Sequence, residues 1–407
     1  MSTDMSTVVI VGAGQAGGET ALALRQQGYA GRIVLIGEET HPPYRRPPLS
    51  KTYLNGELAA AALLLRSEEA YATAGIELML GRQVEAIARN DRTVICKDGA
   101  TLHYDHLVLA TGGQVRKLAL PGSDAPNVYY LRTIADARRL REALAPGRRV
   151  VVVGGGYVGL EVAASAAKAG AQVTVLEGAS RLLARVAGAE LSVFFETLHR
   201  AHGVDIQTGV AVSGFEFKDG KVVSVLAGGR AFTADCVIVG IGLIPGTALA
   251  ENAGLEVSDG IVVDEFARTG DERIYAVGDC ARHFHPALGR SVRLESVPSA
   301  SEMAKAAASA IVGKPKPISA VPWFWSDQFG IKLQMAGMPE GHDAFVERRA
   351  PGSAAFSLCY LREGQLIAVA SVNAPLDFQA ARELIARKLP VNALTLADTA
   401  TPLRNAL

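Results

Sequence analysis

A glycine motif that occurs twice in the chain limits its possible folds more than any other feature. In the first copy, residues 8–17 read VVIVGAGQAG, so that Gly12, Gly14 and Gly17 fit the G-x-G-x-x-G spacing. The four β-branched residues before the glycines are typical of a buried parallel strand, and the Ala- and Leu-rich stretch after them predicts a helix over residues 16–27. In such a turn the first glycine permits the tight bend, the second lets the backbone approach a pyrophosphate, and the third lets the helix pack against the strand.

An acidic residue at the expected distance from the glycines supports a dinucleotide site. A second predicted strand, residues 32–36, leads to Glu38, which lies about 20 residues after Gly17, where a carboxylate binds the hydroxyls of a ribose. The glycine spacing alone is weak, because glycine-rich turns are common. The strand before it, the helix after it and the acid beyond it together make it specific.

The second copy of the motif predicts a second dinucleotide site. Residues 150–159 read VVVVGGGYVG, with Gly154, Gly156 and Gly159 at the same spacing, and a following strand ends at Glu177. Two such sites in one chain indicate that electrons pass between two dinucleotides. The alternative is that one copy is a decayed structural duplicate, which the glycines and the acid retained in both copies argue against.

Composition and charge favour a globular α/β enzyme. Apolar residues make up 49% of the 407 positions and charged residues 20%, as in ordinary globular domains. Lys plus Arg equals Asp plus Glu, 41 each, so the balance gives no support for nucleic acid or a membrane surface as a partner. No apolar run is long enough to span a membrane, and the first residues lack the basic start and apolar core of a signal peptide. We therefore expect a cytoplasmic enzyme.

The spacing of cysteine and histidine gives no sign of a redox disulfide or a metal site. Cys96, Cys236, Cys280 and Cys359 lie far apart in sequence and form no C-x-x-C pair. The H-x-H at residues 283–285 has no neighbouring set of ligands that would complete a metal site. We expect four isolated thiols and no bound metal.

A proline-rich loop over residues 40–51 carries candidate cations. Its prolines predict an extended segment, with a helix beginning near Ser50. Arg46 and Lys51 lie on this stiffened segment just beyond the first cofactor strand, which suits a fixed cation beside a flavin. The alternative is a rigid surface loop.

Glycine-rich strand ends and two tryptophans mark the remaining candidates. An apolar strand runs into a Thr-Gly-Gly turn at residues 111–113, where bare backbone permits close approach to a cofactor. Another strand ends at Gly278, and the carboxylate that follows it suits a cofactor hydroxyl. Trp323 and Trp325 are the only tryptophans and open a C-terminal region of short strands, which suggests that at least one of them faces a ligand.

These segments together resemble the FAD-dependent ferredoxin reductases that serve bacterial oxygenases. The resemblance covers essentially the whole chain and is carried by RPPLSK (46–51), LATGG (109–113), LRT (131–133), GGGYVGLE (154–161), AVGDCA (276–281), ESVP (295–298) and WFWSDQ (323–328). It implies an α/β fold of the glutathione-reductase-like kind, with two Rossmann-like dinucleotide-binding domains and a C-terminal α+β domain. The expected segments are 1–117 and 246–320 for the FAD-binding domain, 118–245 for the NAD-binding domain and 321–407 for the C-terminal domain.

The resemblance also assigns roles to individual residues. It implies that Lys51 and Glu161 form a catalytic pair where the nicotinamide meets the flavin, with Lys51 beside flavin N5 and Trp325 near the isoalloxazine. The alternative for the pair is an ordinary structural ion pair. The candidate cofactor-binding residues are Gly12, Gly14, Ala16, Gly17, Glu38, Arg46, Lys51, Val84, Ala110, Thr111, Gly112, Arg132, Gly154, Gly156, Tyr157, Val158, Gly159, Glu161, Glu177, Gly242, Gly278, Asp279, Val297 and Trp325. The positions that depart from the family's usual residues are Gly246, Ser299 and Met303.

The activity implied by the resemblance is the transfer of electrons from NADH through bound FAD to a 2Fe–2S ferredoxin that feeds an oxygenase, of the haem monooxygenase or the Rieske type. One alternative is an NADH oxidase, a peroxidase or a flavoprotein like apoptosis-inducing factor. An alternative of another class is a non-catalytic flavin-binding interaction protein, whereas a disulfide reductase is disfavoured by the cysteine spacing. The ferredoxin is expected to be acidic and its complex transient. The candidate docking residues are Arg45, Arg66, Lys314, Lys316 and Lys332.

Overall fold

The computed structural model describes residues 6–406, which form two compact units. The first unit comprises residues up to 45, 63–114 and 244–324, and the second comprises 46–62, 115–243 and the chain from 325 onward. Each unit is therefore built from three separate stretches of sequence. The predicted boundaries of the FAD-binding, NAD-binding and C-terminal domains divide the chain by expected binding role, and they stay a prediction.

The secondary structure alternates strands and helices through both dinucleotide motifs and ends in a run of strands. The strands are β1 (Thr7–Val11), β2 (Arg32–Gly37), β3 (Ile76–Leu80), β4 (Val84–Ala88), β5 (Thr93–Cys96), β6 (Thr101–His103), β7 (His106–Leu109), β8 (Gly113–Val115), β9 (Val128–Tyr130), β10 (Arg149–Val153), β11 (Gln172–Glu177), β12 (Asp205–Thr208), β13 (Val212–Lys218), β14 (Lys221–Ala227), β15 (Arg230–Thr233), β16 (Cys236–Val239), β17 (Leu243–Pro245), β18 (Ile261–Val263), β19 (Ile274–Ala276), β20 (Ala281–His285), β21 (Arg290–Val292), β22 (Trp323–Gln328), β23 (Ile331–Gly337), β24 (Ala344–Arg349), β25 (Phe356–Arg362) and β26 (Gln365–Val372). The α-helices are α1 (Gln15–Gln26), α2 (Glu68–Thr73), α3 (Ile134–Ala143), α4 (Tyr157–Lys168), α5 (Ala189–Ala201), α6 (Ala248–Asn252), α7 (Val297–Ile311), α8 (Pro375–Arg387) and α9 (Ala393–Ala397). Short 3-10 helices cover Pro47–Ser50, Ala60–Leu63, Gly278–Cys280 and Leu403–Asn405.

The first unit is organised around a five-stranded parallel sheet in the order β19–β7–β1–β2–β3. β1 lies in the middle, with Val9 opposite Val34 on one side and Leu107 on the other. Val8, Val9 and Ile10 are fully buried, as expected for a parallel strand covered on both faces. Helices α1 and α7 pack against each other, and the strand order confirms the predicted Rossmann-like architecture.

The second unit contains a second five-stranded parallel sheet in the order β12–β11–β10–β16–β9. β10 takes the central place that β1 has in the first sheet, with Val151 between Thr174 and Val237. Strands β13 to β15 form an antiparallel meander between β12 and β16 in sequence.

The C-terminal region forms a third five-stranded sheet in the order β22–β23–β26–β25–β24, with α8 against it. Its pairings from β23 to β24 are antiparallel, so that helix and sheet together give the predicted α+β content. Leu358 and Tyr360 of this sheet share one hydrophobic core with Leu160 and Phe195 of helices α4 and α5. This shared core explains why the C-terminal region belongs to the second unit.

The prediction of a helix beginning near Ser50 is wrong. The structure has a 3-10 helix over Pro47–Ser50 that ends at this residue. The prolines preset φ for a single turn at its start, and Lys51 then takes φ −130° and ψ −114°, which is not helical. Within residues 6–406, no helix is both long and apolar enough to cross a membrane.

Candidate functional site

The first glycine cradle, at the end of β1, has the geometry that each glycine was predicted to supply. Gly12 has φ +111°, and a Cβ added to it would overlap the carbonyl oxygen of Ala110. A Cβ at Gly17 would overlap the carbonyl oxygen of Gly12, so this glycine is what lets α1 approach the turn. Gly14 is different, because a Cβ added there meets no atom within 4 Å. Protein atoms therefore leave no room for a side chain at the first and third glycines, whereas the space beside the second glycine is free.

The second cradle, at the end of β10, repeats this arrangement. Gly154 has φ +108°, and a Cβ added to it would lie 2.5 Å from the carbonyl oxygen of Gly240. A Cβ at Gly159 would overlap the carbonyl oxygen of Gly154, whereas one at Gly156 meets nothing within 4 Å. Both copies thus have the same steric surroundings at all three glycines, which argues against one of them being a decayed duplicate.

Both cradles present a helix N-terminus to this open space. The N-cap residues are Gly14 for α1 and Gly156 for α4, and neither has a side chain that could occupy the free N–H groups. Neither helix has an acidic residue in its first turn that would repel an anion. The free N–H groups and the positive end of the helix dipole are suited to a pyrophosphate in each cradle. The first two residues of α4 are Tyr157 and the exposed Val158.

The two acidic residues at the ends of the second strands differ in their surroundings. Glu38 is exposed at the end of β2, and no described residue forms a hydrogen bond with its carboxylate. Glu177 accepts hydrogen bonds from the N–H groups of Gly155, at 2.6 Å, and Ala179, at 2.7 Å. A carboxylate has about four acceptor positions, so Glu177 still has capacity for ribose hydroxyls while it braces the glycine turn.

The arginine nearest to Glu177 in sequence is occupied. The Arg181 guanidinium donates to the carbonyl oxygens of Ala184 and Ala187 and to Ser192 Oγ, at 2.7–3.1 Å. It therefore braces the segment before α5. A 2′-phosphate at Glu177 would meet a carboxylate without this arginine as its counter-ion.

The remaining candidates of the first unit lie around the carboxyl ends of its sheet. Gly278 has φ +77°, and a Cβ added to it would lie 2.8 Å from the Cβ of Ala16, so the strand end after β19 and the start of α1 are close neighbours. Asp279 follows on the 3-10 helix, and Val297 begins α7. The other candidates are the buried Ala110 after β7, the partly buried Thr111 and Gly112 that follow it, and the buried Val84 at the start of β4.

In the second unit the structure brings together the two predicted catalytic residues, which are far apart in sequence. Lys51 Nζ lies 2.9 Å from Glu161 Oε1, and their side chains are only 15% and 5% exposed. Ser50 Oγ donates to Glu161 Oε2 and Ser326 Oγ donates to Glu161 Oε1, each at 2.6 Å. The carboxylate thus holds one mostly buried ammonium group and two hydroxyl groups.

Sequence reasoning missed both serines. Ser50 directly precedes Lys51 in the RPPLSK motif, and Ser326 directly follows Trp325 in the WFWSDQ motif on β22. Neither motif marks its serine as functional. Their role depends on α4 reaching both segments, which no spacing rule gives. Trp325, predicted near a cofactor ring, is partly buried on the strand that supplies Ser326.

Three other predicted contacts of the second unit have defined surroundings. Arg46 donates to the backbone carbonyl of Arg132 at 2.6 Å, so the structure brings these two residues together. Tyr157 donates to Met335 Sδ at 2.8 Å, and burial raises the pKa of its phenol. Gly242 has φ +106°, a positive value that glycine adopts without steric strain because it has no Cβ.

The cysteines lack the features of redox-active thiols. All four are free and buried. Burial raises the pKa of each thiol, and for Cys236 and Cys359 it raises the pKa to about 12. Because the thiolate is the nucleophile in disulfide chemistry, these residues are unsuited to it.

Comparison with known proteins gives one family over most of the chain. Residues 6–304 match the family described as pyridine nucleotide-disulphide oxidoreductase, and residues 323–407 match the one described as reductase C-terminal. Putidaredoxin reductase of Pseudomonas putida is 47% identical over 403 residues, which cover 98% of this chain and 96% of that one. The ferredoxin–NAD⁺ reductase component of the anthranilate 1,2-dioxygenase system of Burkholderia cepacia is 40% identical over 408 residues, covering 98% of both. The crystal structure of the covalent putidaredoxin reductase–putidaredoxin complex contains a chain with a TM-score of 0.96 and 47% identity, with 98% of each chain covered.

Proposed function

The chain belongs to the pyridine nucleotide-disulphide oxidoreductase family, and from this premise we propose that it is an NADH-dependent ferredoxin reductase. It passes electrons from NADH through FAD to a 2Fe–2S ferredoxin, which supplies an oxygenase of the haem monooxygenase or the Rieske type. The observation that carries the proposal is the pair of glycine cradles with matching geometry, because it equips one chain for two dinucleotides. The reaction balances as one NADH and two oxidised ferredoxins giving NAD⁺, a proton and two reduced ferredoxins.

The first unit has the features that FAD binding requires. The open space before Gly14 and the free N-terminus of α1 fit a pyrophosphate, and the exposed Glu38 fits a ribose. When bound, FAD accepts an electron pair as a hydride and releases electrons singly, which a nicotinamide does not do. The residues of this unit that we propose to hold it are Gly12, Gly14, Ala16, Gly17, Glu38, Val84, Ala110, Thr111, Gly112, Gly278, Asp279 and Val297. From the second unit we propose Arg46, Lys51, Arg132 and Trp325.

The second unit supplies the NADH site. The open space before Gly156 fits the pyrophosphate, and Glu177 is placed to accept a ribose hydroxyl and to repel a 2′-phosphate. Because the Arg181 guanidinium is held by its own segment, it supports no preference for NADPH. The residues that we propose to line this site are Gly154, Gly156, Tyr157, Val158, Gly159, Glu161, Glu177 and Gly242.

Lys51 and Glu161 supply the electrostatics of hydride transfer in this proposal. A fixed ammonium stabilises the negative charge that develops as a hydride arrives, and it does so without reorganising during the step. Glu161 keeps Lys51 in one position, and the hydroxyls of Ser50 and Ser326 keep the carboxylate itself in place. Glu161 is thus proposed to act chiefly by orienting the lysine.

We propose an acidic ferredoxin as the partner, bound only briefly through exposed basic residues. Arg45, Arg66, Lys314, Lys316 and Lys332 are all exposed. Charge steering of this kind speeds encounter without requiring a large apolar interface. A cytoplasmic location fits the four free cysteines, since thiols stay reduced in that compartment.

The choice of electron acceptor tests the proposal. The purified flavoprotein is mixed with NADH and, in turn, a 2Fe–2S ferredoxin, oxygen, hydrogen peroxide or a disulfide. We expect ferredoxin to be reduced at least tenfold faster than any other acceptor. Faster consumption of oxygen or peroxide would instead establish the oxidase or peroxidase alternative, and the absence of NADH oxidation with every acceptor would favour a non-catalytic role.

A further inference from the structure

A row of buried polar side chains continues from Glu161 away from Lys51. Ser326 Oγ lies 2.6 Å from Glu161 Oε1, Gln328 Nε2 lies 3.1 Å from Ser326 Oγ, and His199 Nε2 lies 2.8 Å from Gln328 Oε1. The exposed fractions of Ser326, Gln328 and His199 are 0%, 1% and 0%. We name these three residues the Ser–Gln–His relay.

The chemistry of the groups gives every hydrogen bond in the relay one direction. A carboxylate only accepts, so Ser326 donates to Glu161, and its own oxygen accepts from the amide nitrogen of Gln328. The amide oxygen of Gln328 must then accept from His199, which therefore carries its proton on Nε2. Burial lowers the pKa of His199 to about 4, so the ring is neutral near pH 7. All three donors consequently point toward the carboxylate.

Two elements of the second unit build the relay. Ser326 and Gln328 are two residues apart on β22, so their side chains project from the same face of the strand. His199 reaches Gln328 from α5, and its ring packs edge-on against Phe329, with centroids 5.0 Å apart. Burying polar groups costs free energy unless they find partners. Each member of the relay bonds to the next one toward Glu161, whereas His199 Nδ1 has no hydrogen-bond partner among the described residues.

We propose that Gln328 and His199 are positioning residues for the Lys51–Glu161 pair and act on it through Ser326. This inference rests on the proposed function. Without the amide of Gln328, the Ser326 hydroxyl loses the contact that fixes its direction. Hydrogen bonds in a chain also strengthen one another, so the Ser326–Glu161 bond weakens when its neighbour is removed. The carboxylate then holds Lys51 less firmly, although no residue that binds either dinucleotide has been altered.

The first test is flavin reduction by NADH in an anaerobic stopped-flow instrument, with His199→Phe and two matched variants. His199→Phe keeps a ring for packing and removes the donor, and we expect the limiting reduction rate to fall about fivefold to tenfold. The half-saturating NADH concentration should stay within about twofold of the wild-type value, because the glycine cradle is untouched. His199→Gln returns an N–H group near the position of Nε2 and should restore the rate to within about twofold.

The control is His202→Phe, at the residue that caps the C-terminus of the same helix. His202 stacks on Phe329 with centroids 3.9 Å apart but is exposed and has no bond to Gln328. We expect wild-type rates for this variant. A purely structural role for His199 would instead make the rate follow thermal stability in all three variants, without selective rescue by glutamine.

Gln328→Met tests the same relay from its centre, so the inference does not depend on the folding of one variant. It should lower the limiting rate as His199→Phe does, and the double variant should lose no more than either single variant, since all three break one chain. Wild-type rates in His199→Phe or Gln328→Met, or additive losses in the double variant, would overturn the relay. If NADH fails to reduce the flavin of the wild-type protein, the proposed function itself fails, which is a different result.

Discussion

Removal of the ammonium group held by Glu161 should slow flavin reduction by NADH about 100-fold in Lys51→Met. The two charges are 2.9 Å apart, which corresponds to an attraction of about 6 kcal/mol at an effective dielectric constant of about 20. Much of this attraction offsets the cost of removing both charges from water, so its main result is one fixed position for the ammonium. A preorganised group facing developing charge contributes about 2.7–4 kcal/mol to a rate, or about 10²–10³-fold. The lower end applies, because 15% of the lysine side chain remains exposed to screening by solvent.

The assay is anaerobic stopped-flow reduction of bound flavin over a series of NADH concentrations, with flavin content and melting temperature as checks of folding. Lys168→Met is the matched control, because Lys168 pairs with Glu57 while their side chains are 63% and 43% exposed. Such exposed pairs contribute about 0–1 kcal/mol, so we expect wild-type reduction. Glu161→Gln keeps an acceptor for Lys51 and should give an intermediate rate. A wild-type limiting rate in Lys51→Met would refute the catalytic role and leave a structural ion pair.

Nucleotide choice, stability in acid and ferredoxin docking each depend on residues outside the Lys51–Glu161 pair. NADH should exceed NADPH about 100-fold in kcat/KM, because Glu177 repels a 2′-phosphate, and equal efficiency would contradict this role. Burial lowers the pKa of both His199 and His283 from 6.5 to about 4, so each contributes stability that is complete above pH 6.5 and is lost as the pH falls toward 4. The melting temperature should therefore fall between pH 6.5 and 4, and His283→Phe should flatten this fall; an unchanged pH dependence would disprove the contribution of His283. Ferredoxin reduction should slow as the salt concentration rises, and it should also slow in the double variant Arg66→Glu, Lys316→Glu. Ferricyanide reduction, the control, should stay constant under both changes. A rate of ferredoxin reduction that responds to neither change would rule out this docking surface.

The two cradles could be predicted from sequence because each glycine answers a local steric demand. Gly12 and Gly154 must take positive φ, and Gly17 and Gly159 must let a helix approach a carbonyl oxygen. These demands arise within a few residues of each motif and in the strand beside it. A strand–turn–helix pattern is therefore sufficient to find them.

The surroundings of Glu161 could not be read from spacing. Lys51 is a candidate cation from its proline-rich loop, but its pairing with Glu161 is implied only by the family resemblance. Ser50 and Ser326 are not predicted as partners of Glu161, because separate segments converge on one carboxylate. Glu177 is predicted only as a ribose ligand, but its carboxylate also accepts hydrogen bonds from the N–H groups of Gly155 and Ala179. Such contacts depend on tertiary packing, which a one-dimensional pattern does not contain.

The central claim, that one chain binds two dinucleotides in separate cradles, is tested most directly by the same substitution in both. Gly14→Ala and Gly156→Ala each add a methyl group that meets no protein atom within 4 Å, and their φ values of −91° and −80° suit alanine. The methyl group would instead meet the pyrophosphate. We expect Gly14→Ala to lose bound FAD, measured by absorbance per chain, and Gly156→Ala to keep full FAD while its Kd for NADH rises at least about tenfold. Loss of FAD in Gly156→Ala, or unchanged binding of both dinucleotides in both variants, would contradict the account.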